Sequence, residues 1–265
     1  MTAVFIILLF VLGACFGSFL CCQARRLNLK ANHHKTLGSR SVCLKCRKQL
    51  KWYDNLPIIS WLLLKGKCRF CKTPIGVAEL LSELGLAVAF ILIGTTFDFA
   101  TISIVAWAGF VLTLVFVVII GFLAIYDGLY GELPANMLVI AIVCSALILA
   151  LKEYEAMSVS GFSPELIWQP LLSVVILGGL YLLLYLISKG RWVGDGDWLL
   201  GVALGLALFY PFLALVTLFL ANLSACAVMA PTAFKRKKHQ IYFGPFLVAA
   251  FIIAFAFANF FQSML

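Results

Sequence analysis

Three aspartates lie at the edges of long apolar runs. Placing a carboxylate near the membrane interior costs free energy, so such a residue suggests a functional site. Asp127 closes one run in AIYDGLYGELP, and Asp195 and Asp197 open another in VGDGDWLL. Two carboxylates held close together cannot both ionise easily, so the pair shares one proton. One can then act as a base toward water while the other donates a proton to a carbonyl, the chemistry of aspartic proteases. We predict that Asp127 and Asp197 form such a pair.

Glycines flank these aspartates and suggest how a substrate reaches them. Gly194 and Gly196 carry no side chain, so we expect a substrate strand to approach the backbone beside Asp197 closely. A simpler interpretation is that Asp195 or Asp197 caps a helix. Because Asp197 lies deeper in the apolar run, we assign the capping role to Asp195 and the chemistry to Asp197.

The composition determines which kind of fold must position these groups. Hydrophobic residues make up 64% of the 265, charged residues only 12%, and the mean hydropathy is +1.08. The apolar runs are continuous and long enough to cross a bilayer as helices, which excludes a membrane β-barrel. We predict an all-α polytopic membrane protein with about eight transmembrane helices. The expected spans are 2–22, 76–96, 100–126, 135–151, 166–187, 195–209, 211–230 and 242–262. Residues 195–230 could alternatively form one long segment with a re-entrant piece.

The distribution of basic residues predicts the orientation in the membrane. Residues 23–75 hold 13 of the 20 Lys and Arg, residues 188–193 hold two, and residues 234–240 hold four. With the N-terminus outside, 19 of the 20 fall on the cytoplasmic side, as the positive-inside rule requires. The basic residues follow the first apolar run, so we expect an anchor and not a cleaved signal peptide. The net charge of +9 therefore reflects topology and contact with anionic lipid heads, and not nucleic-acid binding.

One polar insert, residues 23–75, carries two CxxC pairs. CLKC at 43–46 and CRFC at 68–71 are separated by 21 residues, a spacing typical of a four-cysteine zinc site. Four thiolates fill a tetrahedral coordination sphere, so we predict structural zinc on Cys43, Cys46, Cys68 and Cys71. His33 and His34 are expected to be solvated loop residues. The expected domains are a first transmembrane helix at 1–22, the cytoplasmic zinc-ribbon-like insert at 23–75, and a transmembrane peptidase core at 76–265.

Five stretches form an ordered set of motifs: GSFL at 17–20, the cysteine insert at 43–75, YDGLYGELP at 126–134, GDGD at 194–197 and FGPF at 243–246. Together they resemble the bacterial type IV prepilin leader peptidases, a family of GxGD intramembrane aspartyl proteases. The resemblance implies that Asp127 and Asp197 are catalytic. It implies a prepilin or pseudopilin substrate, whose short basic leader is cut at the cytoplasmic face of the bacterial inner membrane. It also implies N-methylation of the new N-terminus with S-adenosylmethionine.

Glu79 and Glu83 are four residues apart and therefore lie on one side of the second predicted span. One interpretation has them contact the substrate amine or the methyl donor. The other has Glu79 in the headgroup zone and Glu83 hydrogen-bonded to a neighbouring span.

Three other functions compete with leader cleavage. A presenilin-like protease shares YD and GxGD, but it would have neither the zinc insert nor FGPF and would carry a Pro-Ala-Leu motif. A proton-coupled transporter would use the aspartates as relay groups, although such folds usually show paired repeats. A non-catalytic scaffold for pilus or secretion assembly would retain its function without either carboxylate.

Overall fold

The structure, a computed structural model, describes residues 3–31, 41–43, 45–97, 103–191, 193–233 and 242–262. His33, His34 and the basic run 234–240 lie outside the described residues. The fold is almost entirely helical. Its α-helices are α1 Ala3–Ala31, α2 Ile59–Leu63, α3 Val77–Thr95, α4 Ile104–Tyr130, α5 Ala135–Ser160, α6 Glu165–Val174, α7 Leu180–Ser188, α8 Asp195–Leu208, α9 Pro211–Ala233, α10 Gly244–Ala256 and α11 Ala258–Gln262.

Each of the eight predicted spans contains a helix within its described residues, and the predicted fold class is confirmed. Within the described parts of the chain, six apolar stretches are long enough to cross a membrane: Ala3–Leu29, Val77–Thr95, Ile104–Tyr130, Ala135–Ser158, Glu165–Ser188 and Pro211–Val228. The fifth of these runs through α6, one turn of π-helix at Val175–Gly179, and α7. The helices α8 and α10, with 14 and 13 residues, are shorter than these six.

The region 195–230 forms two helices and not one long segment. Helix α8 ends at Leu208, and Phe209 follows with a φ of 67°, a left-handed conformation that stops the helix. Helix α9 then begins at Pro211, whose fixed φ suits the first turn of a helix. At the other end of the chain, α1 continues beyond the predicted span into the insert and ends at Ala31.

The chain forms two compact units, Met1–Gly94 and Thr95–Leu265. In the first unit, α1 and α3 cross with their backbones in close contact. A Cβ added at Gly13 would lie 2.5 Å from the Leu86 carbonyl oxygen, and one added at Gly17 would overlap the Ser82 carbonyl. Small residues four apart allow this approach, which is the usual way that membrane helices pack tightly.

Between α1 and α3, the insert contains two copies of one knuckle. An antiparallel bridge joins Val42 to Gln49 around the first CxxC, and an equivalent bridge joins Lys67 to Pro74 around the second. In both knuckles, the residue after the second cysteine adopts a positive φ, 55° at Arg47 and 56° at Lys72. Its N–H bonds to the carbonyl of the first cysteine, over 2.8 Å in one copy and 3.0 Å in the other. The repeated geometry confirms the predicted zinc-ribbon-like insert.

The second unit packs α4, α5, α8 and α10 around one apolar core. Phe116 of α4 and Phe251 of α10 are fully buried, and their rings meet edge to face at 5.7 Å. The π-helical turn at 175–179 passes directly over α8, where a Cβ at Gly201 would lie 2.7 Å from the Leu177 carbonyl oxygen. This core fixes the ends of α4 and α8, which carry the aspartates.

Candidate functional site

Asp127 lies one turn before the end of α4 and is only 6% exposed. The helix closes at Gly131, whose φ of 71° lets its N–H return to the Asp127 carbonyl over 2.7 Å. The Asp127 side chain accepts a second hydrogen bond, of 2.8 Å, from the backbone N–H of Gly244 at the start of α10. The carboxylate is thus held between two helices.

Asp197 lies in the first turn of α8, where its carboxylate accepts the Gly194 N–H over 3.1 Å. Gly194 occupies the N-cap position, and Asp195 is the first residue of the helix and is exposed. The prediction that Asp195 caps this helix is therefore wrong. The third residue of a helix is the one that reaches back to the N-cap N–H, so Asp197 makes that bond.

The two carboxylates are brought near each other although they are seventy residues apart in sequence. Asp127 and Asp197 lie close enough to repel each other electrostatically. Helix α10 packs against both α4 and α8, and it therefore holds the two helix ends together. Paired carboxylates at a partly buried site can divide the acid and base roles of hydrolysis between them.

Tyr181 is a member of this site that the sequence analysis missed. It is 3% exposed in α7, and its hydroxyl lies within electrostatic range of Asp197. The Asn222 side-chain amide donates to that hydroxyl over 3.4 Å. The Tyr181 ring packs at 5.3 Å from Phe243, the residue that precedes Gly244. Nothing in the sequence around Tyr181 distinguishes it from the other tyrosines in apolar segments, so its place beside Asp197 could not be predicted.

The glycines beside the aspartates have different surroundings. Gly196 is buried, and a Cβ there would lie 2.6 Å from the Leu133 Cβ, so this glycine allows α8 to pack on the loop after α4. Gly194 is exposed, and only the Asp197 carboxylate lies within contact distance of an added Cβ. Of these two glycines, therefore, only Gly194 leaves the backbone beside Asp197 accessible to a substrate strand.

Glu79 and Glu83 belong to the first unit and have different partners there. Glu79 forms an ion pair with Arg25 of α1, with 2.5 Å between Arg25 Nη2 and Glu79 Oε1. Glu83 is 5% exposed and accepts the Ile58 N–H over 2.7 Å. Ile58 has a φ of 63°, a strained conformation for a β-branched residue, and Glu83 holds it in place.

A cavity of about 700 Å³ opens among α1, the insert and the start of α3, all within the first unit. Both glutamates line it, together with Arg25, Arg26 and Trp61. Pockets for small-molecule ligands are of this size and carry a few polar groups among apolar walls.

The four cysteines of the insert meet as predicted. Their sulfur atoms lie within 4.8 Å of one another, and all four are free thiols. The sulfurs of Cys43 and Cys71 are 3.7 Å apart, close to the roughly 3.8 Å edge of a tetrahedron with about 2.3 Å Zn–S bonds. Hydrogen bonding with Thr73 lowers the pKa of Cys71 to about 6, which favours the thiolate that a metal requires. The cluster fits a zinc ion.

Comparisons with known proteins agree with these features. Residues 11–97 match the bacterial peptidase A24 N-terminal domain. The chain is 44% identical over 80 residues to a prepilin leader peptidase/N-methyltransferase of Myxococcus xanthus, covering 30% of this chain and 23% of that protein. A protein of the same name from Vibrio cholerae is 38% identical over 89 residues, covering 32% of this chain and 35% of the relative.

A third protein of that name, from Aeromonas salmonicida, is 27% identical over 222 residues, covering 81% of this chain and 70% of the relative. The chain thus spans about a third or less of the Myxococcus and Vibrio proteins, and most of the Aeromonas protein. No solved structure matches the chain. The resemblance to bacterial type IV prepilin leader peptidases is confirmed.

Proposed function

We propose that this relative of the bacterial type IV prepilin leader peptidases cleaves the leader of a prepilin or pseudopilin by aspartic-protease chemistry. The observation that carries the proposal is the pairing of Asp127 and Asp197, on α4 and α8, within electrostatic range of each other. Each carboxylate is oriented by one backbone N–H, from Gly244 and from Gly194. The Aeromonas match supports the proposal because it extends far beyond residues 11–97.

In the proposed reaction, one aspartate takes a proton from a water molecule, and the water oxygen attacks the scissile carbonyl. The other aspartate donates its proton to the carbonyl oxygen. When the intermediate collapses, the C–N bond breaks and the aspartate that was protonated by water gives its proton to the leaving amine. The other aspartate takes back a proton from a hydroxyl of the intermediate, which restores the shared-proton state. Tyr181 acts as a positioning residue, since its hydroxyl lies within electrostatic range of Asp197 and its ring packs on Phe243.

The proposed orientation places the N-terminus outside and the insert in the cytoplasm of a bacterial inner membrane. The charge distribution supports it, since 19 of 20 basic residues would lie on the inner side. A prepilin would insert its apolar helix among the spans and leave its basic leader in the cytoplasm. The scissile bond would then lie at the depth of the two aspartates.

We propose two further components of the activity. Cys43, Cys46, Cys68 and Cys71 would hold one structural zinc ion that stabilises the insert. The relatives' names support a second reaction, in which the new N-terminal amine is methylated. S-Adenosylmethionine would supply the methyl group: the amine nitrogen gains the carbon as the sulfonium C–S bond breaks, and the amine loses a proton.

A leader-cleavage assay on purified protein with a prepilin substrate tests the protease. Asp127→Asn and Asp197→Asn should each abolish measurable cleavage, because a proton-transfer role contributes roughly 10²–10⁴-fold. Asp195→Asn is the matched control, an exposed neighbour that should retain substantial activity. Full activity of Asp127→Asn would rule out the two-aspartate mechanism. An active Asp197→Asn variant together with an inactive Asp195→Asn variant would move the catalytic role from Asp197 to Asp195.

A further inference from the structure

The short helix α2 presents an exposed apolar face in the first unit. Ile59, Leu62 and Leu63 are three and four residues apart, so they lie along one side of the helix. All three side chains are exposed, that of Leu63 to 77%. On the other side of the helix, Trp61 and Leu64 line the cavity. The side of a helix that faces water normally carries polar residues, so this outer face, defined by Ile59, Leu62 and Leu63, requires an apolar neighbour.

One hydrogen bond fixes the level of α2 along the neighbouring span. Helix α3 has 19 residues and is about 28 Å long, close to the roughly 30 Å thickness of the hydrocarbon core. Glu83 lies six residues after Val77, about 9 Å along the axis of α3, and accepts the N–H of Ile58, the residue before α2. The glutamate side chain reaches back over only part of that distance. Helix α2 therefore begins level with the first two turns of a membrane span.

The surface of α3 at this level is apolar as well. Leu81, two positions before Glu83, is exposed in the first unit, as expected of a side chain that contacts lipid. Because α3 has no length to spare for crossing a bilayer, its second turn cannot lie in bulk water. The outer face of α2 begins at the same level, so lipid is available to cover it.

The charge around the outer face is positive. Residues 45–75 contain eight Lys and Arg and one acidic residue, Asp54, which is itself in an ion pair. Lys65 and Lys67 follow α2 directly and are exposed, and so is Trp52 in the 3₁₀ turn that packs on α2. Basic residues attract anionic headgroups, and tryptophan is enriched at the membrane–water interface. Apolar residues flanked by lysines are typical of a segment that lies in this interface.

We propose that α2 is an interfacial helix. Its outer face is embedded in the lipid leaflet on the insert's side of the membrane, and Lys65 and Lys67 bind anionic headgroups there. A second copy of this chain is a poorer occupant, because the lysines of two facing copies would repel each other. The insert is thus attached to the bilayer at α2 as well as through α1 and α3. This placement requires only that α1 and α3 span a membrane, and it does not depend on the proposed leader cleavage.

Site-specific photocrosslinking of the full-length protein in lipid nanodiscs tests the embedding. A Leu63→p-benzoylphenylalanine variant is irradiated, and the lipid adducts at this position are quantified by mass spectrometry. The same probe at Leu81 is the lipid-facing reference, and at Gln49, exposed in the first cysteine knuckle, it is the control outside the outer face. The adduct yield at Leu63 should be within about threefold of that at Leu81 and at least about fivefold above that at Gln49, as an embedded face requires. A second probe at Ile59 keeps the test decisive if the probe at Leu63 reduces expression.

The role of the lysines is tested in nanodiscs that contain equal amounts of phosphatidylglycerol and phosphatidylcholine. Adducts at Leu63 should be enriched in the anionic phosphatidylglycerol. Replacing both lysines, Lys65→Gln with Lys67→Gln, should lower that enrichment about two- to fivefold. The matched double variant Lys65→Arg with Lys67→Arg keeps both charges and should retain the enrichment.

Three outcomes would contradict this placement, each at a different point. Adduct yields at Leu63 and Ile59 no higher than at Gln49 would show that the outer face meets water, and the embedding would be overturned. Crosslinks from Leu63 to a second copy of the chain, in place of lipid, would make the face a dimer interface and overturn it as well. Lipid adducts with no preference for phosphatidylglycerol would overturn the role of the two lysines. Leader cleavage by the aspartate pair is judged by its own assay and is untouched by all three.

Discussion

The backbone N–H of Gly244 donates a 2.8 Å hydrogen bond to Asp127 Oδ2 and joins residues 117 positions apart. Around this bond, three residues of FGPF have a physical role. Phe243 packs on Tyr181, Gly244 orients the carboxylate, and Pro245 lies in the first turn of α10 beside Gly128. The last motif of the chain therefore acts on the first aspartate.

Gly244→Ala should impair leader cleavage without preventing expression. The added Cβ would lie 2.8 Å from Asp127 Oδ2, so the carboxylate or the start of α10 must shift. Losing one oriented hydrogen bond to a charged group should reduce kcat roughly 10–100-fold. Gly109→Ala is the control, because no atom lies within 4 Å of a Cβ there. Wild-type turnover of Gly244→Ala would show that this bond does not orient Asp127.

Tyr181→Phe should lower kcat roughly 3–30-fold and leave KM nearly unchanged. The substitution removes the hydroxyl that lies within electrostatic range of Asp197 but keeps the ring on Phe243, so packing is retained. Tyr154→Phe, at a position 63% exposed, should match wild type. An equal loss in both variants, or a change confined to KM, would contradict a positioning role.

Gly17→Ala should destabilise the first unit, whereas Gly85→Ala should not. A Cβ at Gly17 overlaps the Ser82 backbone, and forcing α1 and α3 apart should cost about 1–3 kcal/mol. Gly85 lies in α3 with open space around it, and alanine there should stabilise the helix by roughly 0.5–1 kcal/mol. The stability of both variants is measured by thermal unfolding in detergent. Equal unfolding midpoints for Gly17→Ala and Gly85→Ala would argue against close α1–α3 packing.

Metal analysis should give about one zinc per chain. Cys43→Ser or Cys71→Ser removes one thiolate from the cluster, so zinc should be lost and the insert should become sensitive to proteolysis. Cys226→Ser, an exposed cysteine in α9, should keep full zinc content. A folded and active preparation without metal would refute the structural role of zinc.

The sequence by itself determined the helices and the cysteine cluster. Span length and continuous apolarity are properties of a local stretch of chain, so the helical segments could be predicted within a few residues. The two knuckles are also local, because the CxxC spacing brings both sulfurs of a pair together before any other part folds. The pairing of Asp127 with Asp197 was predicted from the cost of carboxylates at the membrane boundary.

Only the tertiary structure decided which groups surround those residues. The sequence suggests Asp195 as the cap of α8, but the helix begins one residue earlier than a cap at Asp195 requires, and Asp197 makes the bond. Gly244 and Tyr181 reach the aspartates through helix packing across long sequence separations. Likewise, Trp61 and Glu79 line one cavity because α1, the insert and α3 fold together. These contacts depend on how the helices cross, and the sequence of one helix does not specify which other helix packs against it.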